Sequence, residues 1–152
     1  MADIMKNVLV GFLLCGIAFG QNVKRLIYID HTGGDVAGTR LAFALKEAIR
    51  KSNSYALAET DDHETGEFKV ELVTLEVPSQ HPGDIVDSAV SMMTHVQVGA
   101  VEMPVGHDLF FTALEVTDSQ AQTALATLDG EVVRTITALK KALATTAAAP
   151  TK

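Results

Sequence analysis

The sequence predicts an α+β fold: a two-layer sandwich in the order β-α-β-β-β-β-α, with a mostly antiparallel sheet of about five strands covered on one face by two helices. Three observations lead there. The apolar run Leu26-Ile27-Tyr28-Ile29 stops at Gly33-Gly34, as a buried strand does. Two stretches, 36–49 and 121–143, place apolar residues three or four apart, the period of a helix with one covered face. Between them, residues 67–77 and 86–97 alternate with the period of two that strands require.

Taken in order, residues 23–30 form the first strand. From Asp35 the period changes, and Val36, Leu41, Leu45, Ala48 and Ile49 fall on one helical face. Asp35 suits the N-cap, where a carboxylate meets free backbone N–H groups and the positive end of the helix dipole. Ser52-Asn53-Ser54 ends this helix with side chains that compete for backbone hydrogen bonds. A short strand at 55–58 and the alternating stretch 67–77 flank an acidic turn, and are expected to pair as a hairpin. The long strand 86–97 follows, with breaks expected at Gly99 and at 104–106 before a last strand over 107–116. The final helix begins near Thr117-Asp118-Ser119 and carries Ala121, Leu125, Leu128, Val132, Ile136, Leu139 and Leu143 on one stripe, with Gly130 as a place to bend or break.

The ends carry their own signals. Lys6 and Asn7 precede an apolar run over residues 8–19, and Ala18-Phe19-Gly20 puts small residues at the −3 and −1 positions of a cut before Gln21. This is the pattern of a secretory signal peptide over 1–20. The run is too short for a stable membrane span, which needs roughly twenty apolar residues. The domain organisation read from the sequence is therefore a signal peptide (1–20), one α/β domain (21–144) and a disordered tail (145–152), in a secreted or periplasmic protein. The only cysteine, Cys15, leaves with the leader, so the mature chain has neither a disulfide nor thiol chemistry.

Composition excludes several partners. A formal net charge of −7 with scattered basic residues argues against nucleic acid, whose backbone is bound by clustered Lys and Arg. With no tryptophan and two tyrosines, an aromatic stacking platform is unsupported.

The segment GTRLAFALKEAIRKSNSYALAE, Gly38 to Glu59, resembles the helix-and-strand opening of the domain at the N-terminus of TolB-type proteins and of several small secreted bacterial proteins. The resemblance covers about a fifth of the mature chain and lacks the β-propeller that follows in TolB-type proteins. It implies an envelope or secreted interaction domain and transfers no functional residue.

Candidate ligand-binding residues are Asp30, His31, Gly33, Gly34 and Asp35, at the carboxyl end of the first strand, where α/β sheets place ligands and where glycines let backbone amides approach an anion. The same residues also read as a turn and a helix cap, and the spacing fits neither G-x-G-x-x-G nor a Walker loop. Asp61, Asp62, His63 and Glu64 lack the periodicity of a calcium loop, and His81 and His107 stand apart. No His-Glu-x-x-His, paired cysteines or Gly-x-Ser-x-Gly occurs, so no catalytic residue, metal-ligand set or cofactor is assigned.

Candidate interface residues are Met92, Met93, Phe110 and Phe111. Alternation sends one of Phe110 and Phe111 into the helix-covered core and the other to the uncovered face, near Met92 or Met93, and an apolar patch there would mark a partner surface. The expected function is a non-enzymatic interaction domain that binds a protein partner or itself through the uncovered sheet face or an edge strand. The alternative is a small metal- or anion-dependent enzyme using the loop after the first strand.

Overall fold

The structure is a computed structural model and describes residues 24–60, 67–78 and 87–147. The leader, the acidic segment 61–64 and His81 lie outside the described residues. The elements are β1 (Arg25–Thr32), α1 (Val36–Lys51), β2 (Tyr55–Leu57), β3 (Phe68–Val77), β4 (Asp87–Val98), β5 (Val101–Ala113), a 3₁₀ turn (Leu114–Val116) and α2 (Thr117–Ala147). This is the predicted α+β class and element order.

Among the described residues the sheet has five strands in the order β2-β1-β3-β4-β5 and is mixed. β3, β4 and β5 pair antiparallel, while β1 runs parallel to both of its neighbours. The expected β2–β3 hairpin does not form. β1 carries the apolar run Leu26–Ile29 and takes an interior place, so it needs a neighbour on each edge, and β2 and β3 supply one each. Parallel neighbours normally need a long crossover to retrace the strand. Here Leu57 and Phe68 both flank Ile27, so β2 ends at the level where β3 begins.

The core lies between the sheet and the helices. Ile27, Ile29, Phe68, Val70, Leu72, Val90, Met92 and Val96 face Leu41, Leu45 and Ile49 of α1 and Ala121, Leu128 and Val132 of α2. Each large side chain so buried contributes about 1.5–3 kcal/mol relative to exposure. Val36, placed on the covered stripe by its spacing, is exposed in the first turn, and Ala37 is buried in its place. Tyr55 fixes β2 to α2: its hydroxyl donates to Asp129 Oδ1 at 2.5 Å.

Two breaks read from single residues are absent. β5 passes straight through Pro104 and Gly106 to pair with β4 from Val101 onward, after a tight turn in which Gly99 has φ 62°. β5 is an edge strand, where a proline need not donate to a neighbour, and the register shifts beside it between Thr94 and His95, as at a bulge. Gly106 is required for another reason: a Cβ there would meet the Glu131 carboxyl of α2. Likewise α2 runs unbroken through Gly130 and continues to Ala147, so residues 145–147 of the predicted tail are helical. No helix among the described residues is long and apolar enough to cross a membrane.

Candidate functional site

The turn after β1 is built as a cap. Asp35 is 5% exposed and is the N-cap of α1. Its Oδ1 accepts from the Gly38 amide at 2.5 Å and from the Ser88 hydroxyl of β4, and its Oδ2 accepts from Thr74 Oγ1 of β3 at 2.5 Å. Burial by itself raises the carboxyl pKa, but the bonds from Ser88, Thr74 and the backbone amides outweigh it and hold the group below the usual carboxylate range. Thr74 spends its one hydroxyl proton on Asp35, so His31, whose Nε2 lies 2.9 Å from the same oxygen, is the donor in that pair.

The glycines serve the same packing. Gly33 has φ 148°, and a Cβ there would lie 2.6 Å from the Thr74 carbonyl oxygen. A Cβ on Gly34 would meet nothing within 4 Å. Asp30 neighbours His31 in a strand, so the two side chains take opposite faces of the sheet. The predicted ligand cluster thus separates: Asp35, His31 and Gly33 are committed to joining β1, β3, β4 and α1, and Asp30 belongs to the uncovered face.

That uncovered face holds two adjoining regions. Across β3, β4 and β5 the register aligns Val73, Ser91 and Leu109 in one row and Leu75, Ala89 and Phe111 in the next. Val73, Leu75, Leu109 and Phe111 are 52%, 70%, 74% and 67% exposed. Two apolar ridges, on β3 and β5, therefore flank a trough floored by the small residues Ala89 and Ser91. Of the four predicted interface residues, Phe111 and half-buried Met93 lie on this face, Met93 two rows from Phe111 and next to the Ser91–Leu109 row. Met92 and Phe110 leave the set: both pack against the helix-covered core, as alternation along their strands requires. The sequence reading passed over Val73, Leu75 and Leu109, because their adjacency depends on register.

The second region is polar. The next rows pair Glu71 with Met93 and His107, and Lys69 with His95 and Pro104. Glu71, His95 and Glu102, one from each of β3, β4 and β5, bring a ligand atom each to within 4.8 Å of one another. His95 is 9% exposed, and its Nδ1 lies 3.1 Å from Glu102 Oε1 without the alignment of a hydrogen bond. Lys69 Nζ lies 3.0 Å from Glu71 Oε1. None of these residues was singled out from the sequence, since each occupies an ordinary polar position of an alternating strand.

No protein-family profile matches the chain, and no curated protein does. Among solved structures, a hypothetical protein from Chlamydia trachomatis is similar with a TM-score of 0.43 at 6% identity, over 60% of this chain and 73% of that one. Similarity of that degree carries no argument about function.

Proposed function

We propose that the protein is an exported, non-enzymatic interaction domain that associates with a second copy of itself through the uncovered sheet face. The observation that carries this reading is the pair of exposed apolar ridges flanking the Ala89–Ser91 trough. Monomers seldom leave contiguous apolar patches larger than about a few hundred Å² in water. A two-fold axis would bring the Leu109–Phe111 ridge of one copy against the trough of the other, and sheets pack face to face in this manner. The rows at the centre carry no charge, which suits an apolar partner better than an ionic one. Export rests on the leader pattern at 6–20, and the TolB-type resemblance of 38–59 agrees with an envelope setting.

Size-exclusion chromatography with light scattering, on the chain beginning at Gln21, tests the assembly. A dimer is expected for the native sequence, and a monomer for Leu109→Asp combined with Phe111→Asp. A native chain that stays monomeric at every concentration would remove the reading.

A further inference from the structure

We propose that Glu71, His95 and Glu102 form a binding site for a divalent transition-metal ion of the zinc class on the uncovered sheet face. Strand pairing supplies the preorganisation, because the three side chains project from adjacent strands of one rigid sheet. Ligand atoms around one zinc ion sit about 3–4 Å apart, given metal–ligand bonds near 2 Å. Three donors already within 4.8 Å reach that spacing through small rotations of the two glutamates.

The buried imidazole points to a ligand independently of the carboxylates. Among the described residues, Nδ1 of His95 is buried and makes no aligned hydrogen bond, although Glu102 Oε1 lies 3.1 Å from it. A buried ring nitrogen left unsatisfied is costly, and a metal ion would use its lone pair. The bulge between Thr94 and His95 sits at this position, and bulges re-aim side chains beside functional sites. One imidazole with two carboxylates suits zinc, cobalt or manganese, whereas calcium and magnesium prefer all-oxygen sites. Lys69 holds a cation beside Glu71. Its ammonium therefore competes with the metal for one carboxylate, and the remaining coordination positions fall to water.

The test is a competitive titration of the full, tag-free chain with zinc against a chromogenic chelator, with folding monitored by circular dichroism. One zinc ion per chain is expected for the native sequence. His95→Ala and Glu102→Gln should each weaken binding at least tenfold, His107→Ala should leave it unchanged, and Lys69→Met should tighten it several-fold. Glu102 lies on an edge strand with its side chain 35% exposed, so Glu102→Gln decides the matter even if His95→Ala fails to fold. The proposal is overturned if the native chain takes up no zinc, if Glu102→Gln binds as the native chain does, if His107→Ala abolishes binding, or if equimolar calcium displaces the zinc. Binding is scored per chain, so the result is independent of whether the protein dimerises.

Discussion

Asp35 concentrates more structure than any other residue at the end of β1. Replacing it by alanine removes the α1 cap and leaves the Thr74 and Ser88 hydroxyls without their acceptor. The expected loss is about 2–4 kcal/mol, from a cap worth about 1 and buried polar groups worth about 1–3 when orphaned. The pH dependence follows from the sign of its shift. The folded carboxyl has a lowered pKa, so the stabilisation is present above the unfolded value of about 4 and disappears as pH falls through the folded value. Urea unfolding at pH 7 and at stepped acid pH should show the native chain losing stability below about pH 4, with a flatter profile in Asp35→Ala. His31→Ala, which removes only a half-buried donor to Thr74, should cost no more than about 1 kcal/mol. The two glycines separate cleanly. Gly33→Ala forces a positive φ and a clash with the Thr74 carbonyl, and should cost more than 1 kcal/mol, or roughly the strain of a disfavoured backbone region. Gly34→Ala meets open space and should shift the midpoint by less than about 0.5 kcal/mol. The cap was readable in the sequence because a cap is local. Its partners Thr74 and Ser88 were not, because they arrive from distant strands.

At the scale of elements, periodicity placed both helices and the long strands, since burial on one face imposes it whatever the neighbours are. Local breakers misled where tertiary context overrode them. Pro104 was read as a stop, but on an edge strand its missing N–H costs no ladder bond. Gly130 was read as a weak point, yet packing on both sides carries α2 through it. The tie between β2 and α2 gives a sharp test. β2 spans only Tyr55–Leu57, and among the described residues its outer edge has no strand neighbour, so the Tyr55–Asp129 bond carries much of its anchoring. Tyr55→Phe should destabilise by about 1.5–3 kcal/mol, the range for a bond to a charged acceptor. Burial first, and then the Asp129 carboxylate, push the phenol well above its usual value. Its stabilisation is therefore complete below the unfolded value of about 10 and is lost as pH rises toward the folded one. Stability curves between pH 8 and pH 11 should fall for the native chain and fall less for Tyr55→Phe. A parallel fall in both would show that the phenol does not drive the alkaline loss.

For the whole molecule, the decisive facts are strand order and register, and neither is written in any one segment. Alternation told that Phe110 and Phe111, like Met92 and Met93, take opposite faces of the sheet, without telling which of each pair faces away from the helices. It could not tell that Leu109 and Phe111 lie across a trough from Val73 and Leu75, nor that Glu71, His95 and Glu102 meet a few residues away. The same arrangement predicts how association responds to salt. Contact through the ridges buries apolar groups, which salt does not screen, whereas two chains of net charge −7 repel each other at long range. Raising ionic strength from about 0.01 M to 1 M shortens the screening length from about 30 Å to about 3 Å, so the repulsion fades while the apolar contact persists. The dimer should therefore dissociate at a lower protein concentration in 1 M sodium chloride than in dilute buffer, by sedimentation equilibrium. If salt instead drives the copies apart, charge pairs hold them together, and the ridges are not the contact.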